Sequence, residues 1–173
     1  MNLLNVLSRS RSAKPDDTAG RRADDRDILD TLKQEHEEVA DLLTQLVDST
    51  RAAERKSLLK KIKAALVPHV RAEEKIVYDA ILALKDKRTQ QVGEEGYMEH
   101  GLADKMLTSL AKIRNAASPE FAAGAKVLKE LVEHHVEEEE RNVWADIRSN
   151  FSDDDRIDMD RKFKAAKKKV RVA

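Results

Sequence analysis

No cysteine occurs in the 173 residues, so disulfides, thiolate-bound zinc and iron–sulfur clusters are excluded. Glycine and proline are scarce, at five and three, and aromatics number only six: three Phe, two Tyr and one Trp. With Ala, Leu, Glu and Lys abundant, that composition points to helix. No apolar run approaches the ~18 residues that a membrane helix needs. Neither sign of charge prevails: 33 Lys and Arg balance 33 Asp and Glu, which argues against a surface dedicated to nucleic acid. The apolar start (Leu3, Leu4, Val6, Leu7) is short and precedes its basic residues Arg9 and Arg11, the reverse of a secretory signal. The expectation is a soluble, cytoplasmic protein without a membrane span.

What the chain does have is 40% hydrophobic residues, enough for one core. Residues 1–25 are almost without apolar side chains after Leu7 and read as a disordered leader. Helical periodicity comes next. Ile28, Leu29, Leu32, His36, Val39, Leu43 and Leu46 share one face of a first helix. Leu59, Ile62, Leu66, His69, Glu73, Ile76, Val77 and Ile81 mark a second, with a kink expected at Pro68. Tyr97, His100, Ala103, Leu107 and Leu110 mark a third. The fourth opens at Ser118-Pro119-Glu120, a cap followed by proline in the first turn, and carries Phe121, Leu128, Val132, His135, Glu139, Val143 and Ile147. The fold expected is all-α: an antiparallel, up-down four-helix bundle over 26–149. Residues 150–173 add a short helix from Ser152 and a basic tail.

The chain also repeats itself. Glu35-His36 and Leu42-Leu43-Thr44 match Glu99-His100 and Met106-Leu107-Thr108 at a shift of 64 residues. His69 with Glu73-Glu74, Val77 and Tyr78 matches His135 with Glu139-Glu140, Val143 and Trp144 at a shift of 66. Two hairpins of common design are implied, related by an approximate two-fold axis. The midpoint between His36 and His69 falls at Ala52/Ala53, and that between His100 and His135 at Ala117/Ser118. Folding there sets all four histidines at one level, roughly 24 Å from the turns at ~1.5 Å per residue.

His69/Glu73 and His135/Glu139 are i,i+4 pairs that project from one helix face. That face is the apolar stripe, where charged groups are rarely buried without a partner. Imidazole and carboxylate suit divalent first-row metals, so His36, His69, Glu73, His100, His135 and Glu139 are the candidate ligands. Glu35 and Glu99 are candidates to accept from a ring N–H. Glu74, Glu137, Glu138 and Glu140 read as a solvated flank, and His134 as solvent-facing. Asp104, four residues after His100, is a lesser candidate ligand. Tyr97 is a candidate hydrogen-bond donor to something bound at the metal. Tyr78 and Trp144 lie half a turn from the histidines and read as packing residues.

With His36, His69-x-x-x-Glu73, His100 and His135-x-x-x-Glu139 in this order, the chain resembles the hemerythrin-like (HHE cation-binding) domains from about residue 26 to 149. The resemblance implies two non-haem iron ions, bridged by Glu73 and Glu139, with the histidines as terminal ligands and an open position for a diatomic ligand or peroxide. Respiratory members carry a further histidine on the third helix and an aspartate as last carboxylate; Asp104 and Glu139 stand here instead. That places the chain closer to members associated with oxygen or iron sensing, nitric-oxide response or iron-centre repair. Three functions are open on this reading. The first is a di-iron binding or sensing protein. The second is a di-iron enzyme for ferrous oxidation or for removal of peroxide or nitric oxide. The third is an adaptor with a structural metal, which would meet a protein partner through the basic tail Arg161–Arg171.

Overall fold

The computed structural model describes residues 25–172, and all but Asp25 of the expected leader lies outside them. Helix α1 (Ile28–Asp48) is capped by Asp27, whose side chain accepts from the Leu29 N–H. Helix α2 is a composite rod, α-helical over Ala52–Glu73, opening into a π-helical turn at Glu74–Tyr78 and closing as α-helix over Asp79–Leu82. Helix α3 (Lys87–Lys112) starts on the Asp86 cap. Helix α4 repeats the composite design: α-helix at Pro119–Glu138, a π-helical turn at Glu139–Val143, then α-helix at Trp144–Asn150. Helix α5 (Asp153–Lys167) begins with a capping box between Ser152 and Asp155. The expected bundle with its extra C-terminal helix is what the chain forms.

Both hairpin turns fall where the histidine midpoints put them. The rod α2 begins at Ala52, and the Ser118 cap precedes α4. Helix α3 starts ten residues before Tyr97, through a stretch without apolar periodicity. The disturbance expected at Pro68 takes a different form. The α-helix runs on through Pro68, and the departure from α geometry comes later, in the π turn.

The core has two parts. At the turn end, Leu43, Leu46, Leu58, Ile62, Leu107, Leu110, Phe121 and Leu128 pack together, each contributing about 1.5–3 kcal/mol by burial. The buried Arg55 guanidinium donates there to the carbonyls of Ser49 (2.6 Å) and Ala116 (2.9 Å), so one side chain joins the two turns. At the other end, Ile28, Leu32, Val77, Tyr78, Ile81, Trp144, Ile147 and Phe163 form a second cluster. The histidines lie at the level where the two clusters meet.

Helix α5 packs along α1 and α2. Buried Asp160 accepts from Thr31 of α1 at 2.6 Å, and Arg156 reaches Asp27 at 2.7 Å. The basic run is largely engaged within the molecule: Arg161 pairs with Asp25, Lys162 with Asp158, Lys164 with Asp160 and Lys167 with Glu35. Among the described residues no helix is long and apolar enough to cross a membrane.

Candidate metal centre

Each of the four bundle helices contributes one buried histidine to a common layer, and α2 and α4 each add a buried glutamate. The six side chains are those singled out from the sequence. Glu73 Oε2 lies 3.4 Å from His69 Nε2 and 3.4 Å from His100 Nε2. Glu139 Oε2 lies 3.5 Å from His36 Nε2 and 3.6 Å from His135 Nε2. Each carboxylate therefore sits between histidines of two different helices. His100 and His135 approach to 3.0 Å between their Nε2 atoms. Two trios, His36/His69/Glu73 and Glu73/His100/His135, each bring one donor atom per residue within 4.8 Å of the others.

Inside this layer no oxygen of Glu73 or Glu139 makes a hydrogen bond, nor does His36 Nε2, although all are buried. Their ion-pair separations are too long or ill-aligned to qualify. Unpaired buried carboxylates are costly, and cations placed among them would satisfy every one of these atoms. The donor set fits a pair of divalent metal ions on that ground.

The far side of each imidazole is held by a second carboxylate. Glu35 of α1 meets His69 Nδ1 at 2.9 Å, and Glu99 of α3 meets His135 Nδ1 at 2.6 Å. Glu140 of α4 meets His36 Nδ1 at 3.1 Å. Glu74 lies 3.3 Å from His100 Nδ1, within ion-pair reach but off hydrogen-bond alignment. The order closes on itself around the bundle: α1 steers α2, α2 steers α3, α3 steers α4 and α4 steers α1. Where Nδ1–H donates outward, the Nε2 lone pair faces the centre.

Glu35 and Glu99 take the role expected of them. Glu74 and Glu140 do not remain a solvated flank, as expected, but turn toward the site. The matched Glu-Glu pairs at 73–74 and 139–140 were the available signal. Tyr78 and Trp144 pack in the core as expected, but they do not lie half a turn from the histidines. A π turn inserts one residue and rotates the remainder of its rod by about 100°. The Tyr78 ring consequently stands edge-on to His100 at 5.3 Å, and Trp144 stacks on His36 at 6.0 Å. Tyr78 fits because α3 presents Gly96 there: a Cβ on Gly96 would lie 2.3 Å from the Tyr78 ring.

Three residues stay outside the layer. Asp104 is paired with Arg71. The Tyr97 hydroxyl is within hydrogen-bond distance of the Asp79 carboxylate (2.9 Å) and the Glu74 carbonyl (3.0 Å). His134 is exposed, 3.9 Å from Glu99.

The charge distribution is uneven. Burial alone would lower His69, but Glu73 and Glu35 outweigh it and push its pKa up to about 9. Burial lowers His135 despite Glu99, with His100 adding to the effect. Glu73 is held well below its ordinary range because His69 and His100 outweigh burial. Glu139 goes the other way, raised by burial and by Glu73.

A four-helix bundle with a buried, duplicated His/Glu layer defines a class of cation-binding helical proteins. Residues 27–145 match the family described as the hemerythrin HHE cation binding domain, and the chain belongs to it. A DNA nickase of Nostoc sp. (strain PCC 7120 / SAG 25.82 / UTEX 2576) is 29% identical over 153 residues, which are 88% of this chain and 42% of that protein. The chain thus spans about two-fifths of that relative's length. A crystal structure of a hemerythrin HHE cation binding domain-containing protein, the Rv2633c homologue of Mycobacterium kansasii, superimposes with a TM-score of 0.71. Identity there is 20%, over 83% of this chain and 86% of that one, so the likeness concerns the fold.

Proposed function

We propose that this protein holds a non-haem di-iron centre that binds or senses a small ligand: dioxygen, nitric oxide, peroxide or iron supply itself. The observation that carries the proposal is the pair of buried carboxylates, each set between imidazoles of two helices and left without a hydrogen bond. His36, His69, His100 and His135 would be the terminal ligands and Glu73 and Glu139 the bridges. When bound, iron supplies one-electron redox chemistry and a coordination position for the ligand. The chain's own residues exclude water, orient each imidazole through its outer carboxylate and keep the Nε2 atoms directed inward. His36, His69, Glu73, His100, His135 and Glu139 are at most 9% exposed, so a polymer does not reach them. For that reason the strand-nicking activity in the Nostoc relative's name is not carried to this site. A protein partner for the tail would meet Lys168, Lys169 and Arg171.

The test is metal content with the optical spectrum, taken anaerobically and then in air. About two irons per chain are expected from the two overlapping trios, with near-ultraviolet oxo-to-iron bands appearing in air. His69→Ala and Glu139→Ala should each lose metal and the bands. Full metal content in both variants would remove these residues from the site. A single zinc with a featureless spectrum would overturn the iron reading.

A further inference from the structure

We propose that Tyr78 and Tyr97 form a one-electron relay between the metal centre and the protein surface. The proposal rests on the di-iron reading and extends it to residues outside the ligand set.

The chain has two tyrosines and one tryptophan, and in a protein without cysteine these are its most readily oxidised side chains apart from methionine. Tyr78 and Trp144 stand against site histidines, and Tyr97 stands behind Tyr78. Tyr78 meets the His100 ring at 5.3 Å, and Tyr97 meets the Tyr78 ring at 5.8 Å, both edge-on. Trp144 lies on His36, with the Arg148 guanidinium 5.7 Å over its ring. A neighbouring cation disfavours electron loss from that indole, and no further oxidisable ring continues the path there. The tyrosine pair does continue outward: Tyr78 is 1% exposed, whereas Tyr97 is partly exposed.

The two phenols differ in where a proton can go. A tyrosine that loses an electron must also lose its hydroxyl proton, because the oxidised phenol is a strong acid. Tyr97 has the acceptor in place, the Asp79 carboxylate at 2.9 Å. Tyr78 lies deeper, 1% exposed, with its ring between His100 and Tyr97. The electron therefore tunnels across the Tyr78 ring without resting there, and Tyr97 is the place where oxidation comes to rest. Gly96 lets the Tyr78 ring close against α3 and so brings the two rings into contact.

The oxidant would be hydrogen peroxide, with iron, when bound, as the acceptor of the electrons. In each event Tyr97 gives one electron through Tyr78 to the oxidised centre and its hydroxyl proton to Asp79, leaving a neutral phenoxyl radical. A hydrogen atom from ascorbate restores the phenol, and Asp79 releases its proton to water. Two such events supply the two electrons and two protons that convert one hydrogen peroxide to two waters, with the iron returned to its starting state.

The experiment uses the full chain loaded with iron, mixed with hydrogen peroxide, frozen within seconds and examined by electron paramagnetic resonance. The expected result is a tyrosine phenoxyl signal that ascorbate shortens. Tyr97→Phe should lose it while retaining iron and the optical bands, and Tyr78→Leu, which removes the intervening ring, should diminish it with Tyr97 intact. Asp79→Asn should diminish it and make it depend on solution pH. Should Tyr78→Leu fail to fold, Tyr97→Phe and Asp79→Asn decide the matter. Full iron content without a phenoxyl signal, or a signal unchanged in Tyr97→Phe, would overturn the relay and leave the di-iron reading standing. Protein that takes up no iron would overturn both.

Discussion

The first hairpin, α1 with α2, carries a cover that the second, α3 with α4, does not. Glu35 and Glu99 occupy matched positions and hold matched histidines, yet only Glu35 also receives a lysine, Lys167 of α5 at 2.5 Å. Phe163 of the same helix stands edge-on to His69 at 5.7 Å and is fully buried. Across the approximate two-fold axis, Glu99 has the exposed His134 at 3.9 Å. The position that matches His134 in the first hairpin is Pro68. Duplication therefore supplies a nearly symmetric ligand set, and the fifth helix makes its surroundings unequal. The opposite shifts of His69 and His135 have a nearer cause: Glu73 and Glu35 outweigh burial at His69, whereas burial and His100 prevail at His135.

The largest expected effect concerns what the hairpins share. Glu73 belongs to both trios, so Glu73→Ala should abolish binding of both ions, whereas His135→Ala should keep the one nearer α1 and α2. Metal content after gel filtration reads this directly, and equal losses would show that the two positions do not load separately. Next comes the cover. Phe163→Ala should cost about 3–5 kcal/mol in urea unfolding, as should Phe121→Ala at the turn end. Only the Phe163 variant should also weaken metal binding, since Phe121 is remote from the histidines.

Smaller effects come from the outer carboxylates. Glu35→Gln and Glu99→Gln should each lower metal affinity about 10–100-fold, the range seen when the group that orients a ligand is altered. A larger loss for Glu35→Gln by competition titration would mean that the lysine contact carries over to the metal; identical losses would mean it does not. The smallest effects lie within α3. Gly96→Ala collides with the Tyr78 ring and should destabilise by about 1–3 kcal/mol. Gly101→Ala has open space around it and should gain about 0.5–1 kcal/mol from helix propensity, read as a rise in melting temperature.

The bundle and its level histidines were legible in the sequence because both rest on period. Apolar residues at helical spacing mark the faces, and the repeat at 64 and 66 residues sets the hairpins in register. The six inner side chains were marked by charge on an apolar stripe. Tyr78 and Trp144 were misplaced because a uniform 100° per residue fails across a π turn, and Glu74 and Glu140 because their flank reads as solvated until the His100 and His36 helices pack beside it. Arg55 was hidden for another reason. It stands in a polar stretch beside a turn, and its burial depends on Ala116, 61 residues away. The N-terminal ten residues of α3 lack an apolar stripe, so only the Asp86 cap marks their start.

Arg55 has a consequence for how the bundle gives way. It rivets the two turns together at the end opposite the histidines, like the pivot of a pair of tongs. The jaws are the stretches of the four helices beyond Glu73 and Glu139, which the second apolar cluster holds together. Arg55→Ala should therefore loosen the turns first, while the cluster around Val77 and Trp144 keeps the far halves closed.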